Sequence, residues 1–241
     1  MRQIWDDEID SAERLWRYFK VGRFVSMLES SRLYFAAPTQ FADRFEGAAA
    51  VLPPDFPVDS RYQEMEFAEG AVFALRKLMK ISCWHRAEYE SDAMWKLYAE
   101  QSKGVAICTT PNRMRAAIKP FRLDPAYGIE DLWVGPVSYF DLMKIRLRRL
   151  GKKRYFCKHL AFSWEREFRL LISLEMASEF GVKTPEKGIE VEVYLDALIE
   201  HIVLGPELSK DECDLIVEKS RKVGIGERVR KSSLLGQPRF I

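Results

Sequence analysis

Apolar residues recur along this chain with two periods, one helical and one strand-like. Phe24, Val25 and Leu28 have helical spacing, and residues 33–36 follow as a short apolar strand. Pro38, then Pro53, Pro54 and Pro57, mark loops. Residues 60–79 set Tyr62, Met65, Val72, Leu75 and Met79 among charges, which predicts an amphipathic helix. Residues 81–84 read as a strand. Ser91 is placed to cap a helix with the face Met94, Leu97, Tyr98, and Gly104 to stop it. Residues 105–109 and 137–140 are apolar enough for strands. Residues 167–172 alternate, with Phe168, Leu170 and Ile172 on one face, and residues 189–194 alternate more cleanly. Residues 201–204 form a last short strand before Gly205-Pro206. Ser209 and Glu212 then make a capping box for a helix that Gly224 ends. Short separated strands between helices, with no repeat and no long linker, predict one α+β domain over residues 1–241. Its sheets should be small, mostly antiparallel and flanked by helices.

Composition narrows the class without naming an activity. A chain of 241 residues with 47% hydrophobic and 31% charged residues can build a core, which excludes a disordered or fibrous chain. A net charge of +2 excludes a wholly basic nucleic-acid binder. No apolar run reaches the length of a membrane helix, and the start Met1-Arg2-Gln3-Ile4-Trp5-Asp6-Asp7-Glu8 is too acidic for a leader. The expectation is a soluble, cytoplasmic protein with no membrane partner.

Charge is nonetheless uneven. Residues 144–158 hold eight bases and no acid. Lys144, Arg148 and Lys152 recur every four residues, so a helix would align them into a stripe able to bind nucleic-acid phosphates; the alternative is a solvated face. The four cysteines, Cys83, Cys108, Cys157 and Cys213, show no C-x-x-C spacing and read as free thiols. Cys83-Trp84-His85 and Cys157-Lys158-His159 share the form C-x-H, which on strands would aim a thiolate and an imidazole the same way. That spacing is atypical of structural zinc, and no metal is expected.

Several motifs together resemble the bacterial family catalogued as domain of unknown function 2971. They are Leu15-Trp16-Arg17-Tyr18, residues 24–28 and 33–36, and the turn Asp43-Arg44-Phe45-Glu46-Gly47. Ser82-Cys83-Trp84-His85 and residues 90–98 follow. Lys153-Arg154, Trp164-Glu165-Arg166-Glu167-Phe168-Arg169, and residues 195–200 running into Val203-Leu204-Gly205-Pro206 complete the set. The family usually has Asp-Pro-Phe in the first turn; here Arg44 replaces the proline. The family name carries no activity.

The order of motifs also resembles the layout of the ADP-ribosyltransferase fold. There a first strand carries Arg or His, a second carries Ser or Tyr, a helix with an aromatic-Ala pair follows, and a third strand carries Glu, in one subgroup as Glu-x-Glu. This chain offers Arg17, Ser82, Tyr98-Ala99 and Glu165-x-Glu167 in that order. The resemblance implies NAD as substrate, with transfer to an unknown acceptor or simple glycohydrolysis, in phage defence or as a toxin-like effector. Cleaving the N-glycosidic bond develops positive charge on the ribose, which a carboxylate stabilises. Glu167 would be that carboxylate, Glu165 would orient the acceptor, and Ser82 would brace the carboxylate or the ribose. Arg17 would hold the diphosphate, with Tyr18 and His85 beside it. Alternation would put Glu165, Glu167 and Arg169 on one strand face. Glu167→Gln should then leave the fold intact. Trp84, Trp95 and Trp164 are expected in the core, base stacking being the alternative. A nucleic-acid-binding or non-catalytic interaction protein that uses residues 144–158 is the competing function.

Overall fold

The computed structural model describes residues 1–6, 9–43, 45–48, 74–145, 147 and 151–235. The fold is α+β, with mostly antiparallel mixed sheet and flanking helices. The chain divides into two compact units, each drawn from three stretches of sequence. The first comprises Met1–Asp7, Tyr34–Cys83 and Pro120–Glu190; the second comprises Glu8–Leu33, Trp84–Lys119 and Val191–Ile241.

In the first unit, β1 (Gln3–Trp5) lies parallel to β6 (Leu132–Pro136), which pairs antiparallel with β9 (Glu167–Ser173). The next strand is the first part of β4 (Met79–Arg86), with the end of β3 (Arg32–Ala36) beyond it through the pair Ala36↔Ile81; β10 (Gly188–Glu192), within the strand expected from the alternation, pairs with β3. A separate parallel pair joins β7 (Ser138–Phe140) to β8 (Cys157–His159). Odd-numbered residues of β4 and β9 share one face, where Met79, Ile81 and Leu171 pack with Tyr155 and, partly buried, Cys83 and Trp133. The short helix α4 (Glu175–Glu179) follows β9.

In the second unit, β2 (Leu15–Lys20) pairs antiparallel with the end of β4 and along its whole length with β5 (Gly104–Thr109). Next to β5 runs β11 (His201–Leu204), antiparallel, and then β12 (Val229–Lys231), parallel. One face carries Trp16, Tyr18, Ala106, Cys108 and Val203, sealed by Met94, Trp95 and Ala99 from α2 (Asp92–Tyr98) and its end. Helix α1 (Val21–Ser30) buries Phe24, Met27 and Leu28, the i, i+3, i+4 face that its spacing predicts. The capping box forms at Ser209 and Glu212 and opens α6 (Lys210–Lys222). Helix α3 (Pro111–Ala117) and the one-turn α5 (Leu195–Leu198) complete the unit.

Two expectations change. Ser91 does cap α2, but the helix stops at Tyr98 because Glu100, Gln101 and Ser102 all turn left-handed. Gly104 instead opens β5, where a Cβ would stand 2.2 Å from the Phe19 carbonyl oxygen. Among the described residues, the basic segment forms no continuous helix. Residues 142–144 are a turn, and a 3-10 helix, Gly151–Phe156, starts at a left-handed glycine. Most of the helix expected over residues 60–79, Arg44 and the loop prolines 53, 54 and 57 lie outside the described residues. Among the described residues, no helix is long and apolar enough to cross a membrane.

Candidate functional site

The two glutamates of the Glu-x-Glu motif meet in the first unit, by a route alternation did not foresee. The strand starts at Glu167. Glu165 ends a 3-10 helix, Leu160–Glu165, and Arg166 between them turns left-handed with φ 42°. The carboxylates converge because Lys158, from β8, reaches both. Its ammonium donates to Glu165 Oε2 and, at 2.6 Å, to Glu167 Oε1. The Phe162 ring covers the same ammonium, 4.6 Å from its centroid.

Behind Glu167 the array continues inward. Arg169 has no exposed surface and donates from Nε to Glu167 Oε2 at 2.5 Å. Its two Nη atoms grip Glu46 in a fork, at 2.5 and 2.9 Å, and Nη1 also donates to the Tyr155 carbonyl at 2.6 Å. Glu46 is delivered by a turn whose Gly47 has φ 77° and lies so close to Tyr155 that a Cβ would sit 2.5 Å from the ring. Only glycine fits there without strain. The Glu167 backbone N–H donates to the Tyr139 hydroxyl at 2.7 Å.

Among the described residues the array therefore holds three carboxyl groups, Glu46, Glu165 and Glu167, against two cations, Lys158 and Arg169. Low local polarity makes an uncompensated charge costly, so one carboxyl is driven to keep its proton. Burial, then the hydrogen bond and charge of Glu167, push the Glu165 carboxyl up to about 7. Burial also lifts Glu46 against the pull of Arg169. For Glu167 burial acts upward, but Arg169, the hydrogen bond from Glu165 and Lys158 outweigh it and hold this carboxylate well below its usual range. Lys158 stays above the usual lysine range because the Glu167 charge and both hydrogen bonds overcome burial. The Cys83 thiol is pushed well up by burial and then by the Glu167 charge, so it faces the array as an unreactive thiol.

The other expected residues are dispersed. Ser82 is buried one residue from Cys83, and alternation turns it to the opposite face of β4 from the array. It therefore cannot brace Glu167, and this corrects its expected role. In the second unit, β2 sends Arg17 and Tyr18 to opposite faces. Arg17 lies over the rings of Phe19 and Trp84, at 5.2 and 5.7 Å. Tyr18 is buried edge-on against Trp95, and its hydroxyl accepts from the Ser91 N–H at 2.8 Å. His85 is buried opposite Trp16 in register, so it shares the Tyr18 face and not the Arg17 face. Arg17, Tyr18 and His85 thus do not line one diphosphate site. Trp84 and Trp95 are core residues; Trp164, also expected there, is 43% exposed.

The basic stripe is likewise divided. Lys144 faces Asp141 at 3.2 Å, and Lys152 faces Glu175 at 3.1 Å while lying over the Trp133 ring. Arg148 lies outside the described residues. Among the described residues, no three His, Cys, Asp or Glu side chains gather to hold a metal. Reading the sequence missed Lys158 and Glu46 as members of the site. Lys158 falls within the basic run, and Glu46 lies in the Asp43–Gly47 turn motif, where its glycine neighbour is the available signal.

Comparisons of the chain with models of known families, with curated proteins and with solved structures find no match. What the chain does is therefore inferred from its own residues.

Proposed function

We propose that the Glu165–Lys158–Glu167 array is the acid–base centre of an enzyme that cleaves or transfers at an N-glycosidic bond, with NAD as the nucleotide. The observation that supports this reading most is the set of three buried carboxyl groups facing two cations among the described residues, where burial pushes Glu165 up to about 7 while Arg169 and Lys158 hold Glu167 well below the usual carboxylate range. Paired groups pushed apart in this way suit one group to trade a proton and the other to hold a charge. Glu165 would take the acceptor proton as the ribose bond breaks, and Glu167 would oppose the positive charge that develops. Lys158 orients both carboxyl groups.

A second reading has its own observation. Both oxygens of Glu167 and both oxygens of Glu46 are already engaged by buried cations. That favours a structural ion network in a non-catalytic interaction protein.

Nicotinamide release from NAD by the purified chain separates the two. Glu165→Gln imitates the protonated side chain, so the fold should persist at pH 7 while release falls about 10²–10⁴-fold, the usual loss of a general acid–base. Release that is absent from the wild-type chain, or unchanged in Glu165→Gln, would contradict the enzymatic reading. Glu167→Gln is not the cleaner variant, because it strips a buried charge from between Lys158 and Arg169.

A further inference from the structure

The second unit contains a different concentration of charge, outside everything assigned above. Arg113 of α3 donates from Nη2 to the carbonyl oxygens of Asp196 and Ile199, at 2.7 and 3.0 Å. Arg228, just before β12, donates from Nη1 to the same two oxygens, both at 2.5 Å. Two guanidiniums that share both acceptors are necessarily adjacent. Peptide carbonyls at the end of α5 carry only partial negative charge, so they do not neutralise two full cations. The acid that reaches the pair is Glu227, 3.3 Å from Arg228 Nε and itself 69% exposed at its side chain. Arg113 Nε is buried with no hydrogen-bond partner. Among the described residues, both guanidiniums meet the Asp196 carbonyl and neither bonds its carboxylate.

A second observation points the same way. His201 follows Ile199 by two residues and has Glu200 3.3 Å from Nε2, which alone would favour the imidazolium. Its protonation is nevertheless disfavoured, first by burial and then by Arg230, with Arg14 acting in the same direction. In register, Val203 pairs with Arg230 and Cys108 with His201, so Arg230 and His201 share a face of the sheet. Four guanidiniums from separate places in the sequence therefore act on the stretch from Asp196 to His201, Arg113 and Arg228 on its carbonyls and Arg14 and Arg230 on the imidazole, with Glu200 and Glu227 as the acids paired there among the described residues.

We infer that this corner binds the oxyanion of a phosphate group, with Arg113 and Arg228 as its paired forks. Each guanidinium has five donors in a fixed plane, and the carbonyl contacts use one terminal nitrogen of each. Those contacts hold the planes still before a ligand arrives, which lowers the ordering cost of binding. A phosphate supplies both the negative charge and the multiple acceptors that two adjacent forks match.

Calorimetric titration at low salt with inorganic pyrophosphate tests the site, with adenosine diphosphate and adenosine as further arms. Pyrophosphate should bind and adenosine should not; tighter binding of adenosine diphosphate would identify a nucleotide, and its failure an inorganic anion. Arg113→Lys and Arg228→Lys keep the charge but lose the fork, and each should weaken binding about tenfold. On the wild-type chain, pyrophosphate should shield Arg228 from an arginine-selective dicarbonyl reagent, read residue by residue by mass spectrometry. That reading stands even where a variant fails to fold. No pyrophosphate binding at low salt, undiminished binding in both folded variants, or unprotected Arg228 would overturn the inference.

Discussion

Both units bury sheet faces, but they fill them with opposite chemistry. In the second unit, Trp16 and Tyr18 of β2 meet Trp95, and the polar atoms at the edges find hydrogen-bond partners. Trp95 Nε1 donates to Glu90 at 2.8 Å, and Glu90 also accepts from Ser232 and Ser233. In the first unit, β9 turns Glu167 and Arg169 inward, and the same depth of burial encloses a chain of five ionisable groups. Apolar burial needs only fit, and each side chain contributes separately. A buried ion chain is conditional: every member is tolerable only while its neighbours keep their charges. The first unit therefore carries a large stability risk for which an apolar face would serve as well, and that points to use of the charges.

The sharpest way to break this comparison is to remove one ion and then the whole set. Arg169→Met should cost about 3–5 kcal/mol, because Glu46 and Glu167 remain buried without their partner. Adding Glu46→Leu and Glu167→Leu should restore most of that loss, since no uncompensated charge is left behind. In the second unit, Trp95→Ala should cost a similar ~3–5 kcal/mol through the cavity it opens, but no neighbouring substitution of charge should rescue it. Urea unfolding of the wild-type chain, Arg169→Met, the triple variant and Trp95→Ala decides the matter. A triple variant as unstable as Arg169→Met would show that the array contributes packing rather than conditional charge.

A smaller effect should distinguish another buried cation of the first unit. Lys80 has no exposed surface and donates to the carbonyls of Lys77 and Pro185, at 2.6 and 2.7 Å, with no carboxylate in its hydrogen bonds. Burial lowers its ammonium to about 8, with Glu186 opposing. The folded chain thus gives up this proton before the unfolded chain does. The penalty for burying the charge is present in full below about pH 8 and is relieved as pH rises toward the ordinary lysine value. Stability should gain about 1–3 kcal/mol across that window, and Lys80→Met should abolish the gain. Chemical denaturation at pH 7.5, 9 and 10.5 checks it; a parallel rise in both chains would place the effect elsewhere.

Much of the fold is legible in the residue pattern. The start of the helix at Ser91 and the capping box at Ser209 depend on neighbours within four positions, and both form where the pattern puts them; the helix face differs, because Met94 and Trp95 are buried while Leu97 and Tyr98 of the expected face are exposed. The strands β1, β6 and β12 were not anticipated. Each is short, and each is defined by a partner far along the chain, Leu132 for Gln3 and Ile202 for Val229, which local periodicity cannot register. The site was half legible. Glu165 and Glu167 stood out by spacing, but the reading relied on strand alternation, whereas a left-handed Arg166 and the reach of Lys158 join them. Arg17 and Tyr18 show the opposite failure. The resemblance to the transferase layout groups them at one site, and adjacency on a strand separates them onto two faces.

The central claim is that, among the described residues, the buried array sets three carboxyl groups against two cations, and that Glu165 therefore titrates near neutral pH. Carbon NMR of a chain labelled at the glutamate carboxyls, followed from pH 4 to 9 beside Glu165→Gln, measures this directly. The account predicts one carboxyl resonance that titrates near 7 and vanishes in Glu165→Gln, with the Glu167 carbon still ionised at the acid end. All glutamates titrating in the ordinary range near 4–5, with none lost near neutrality in the variant, would contradict it.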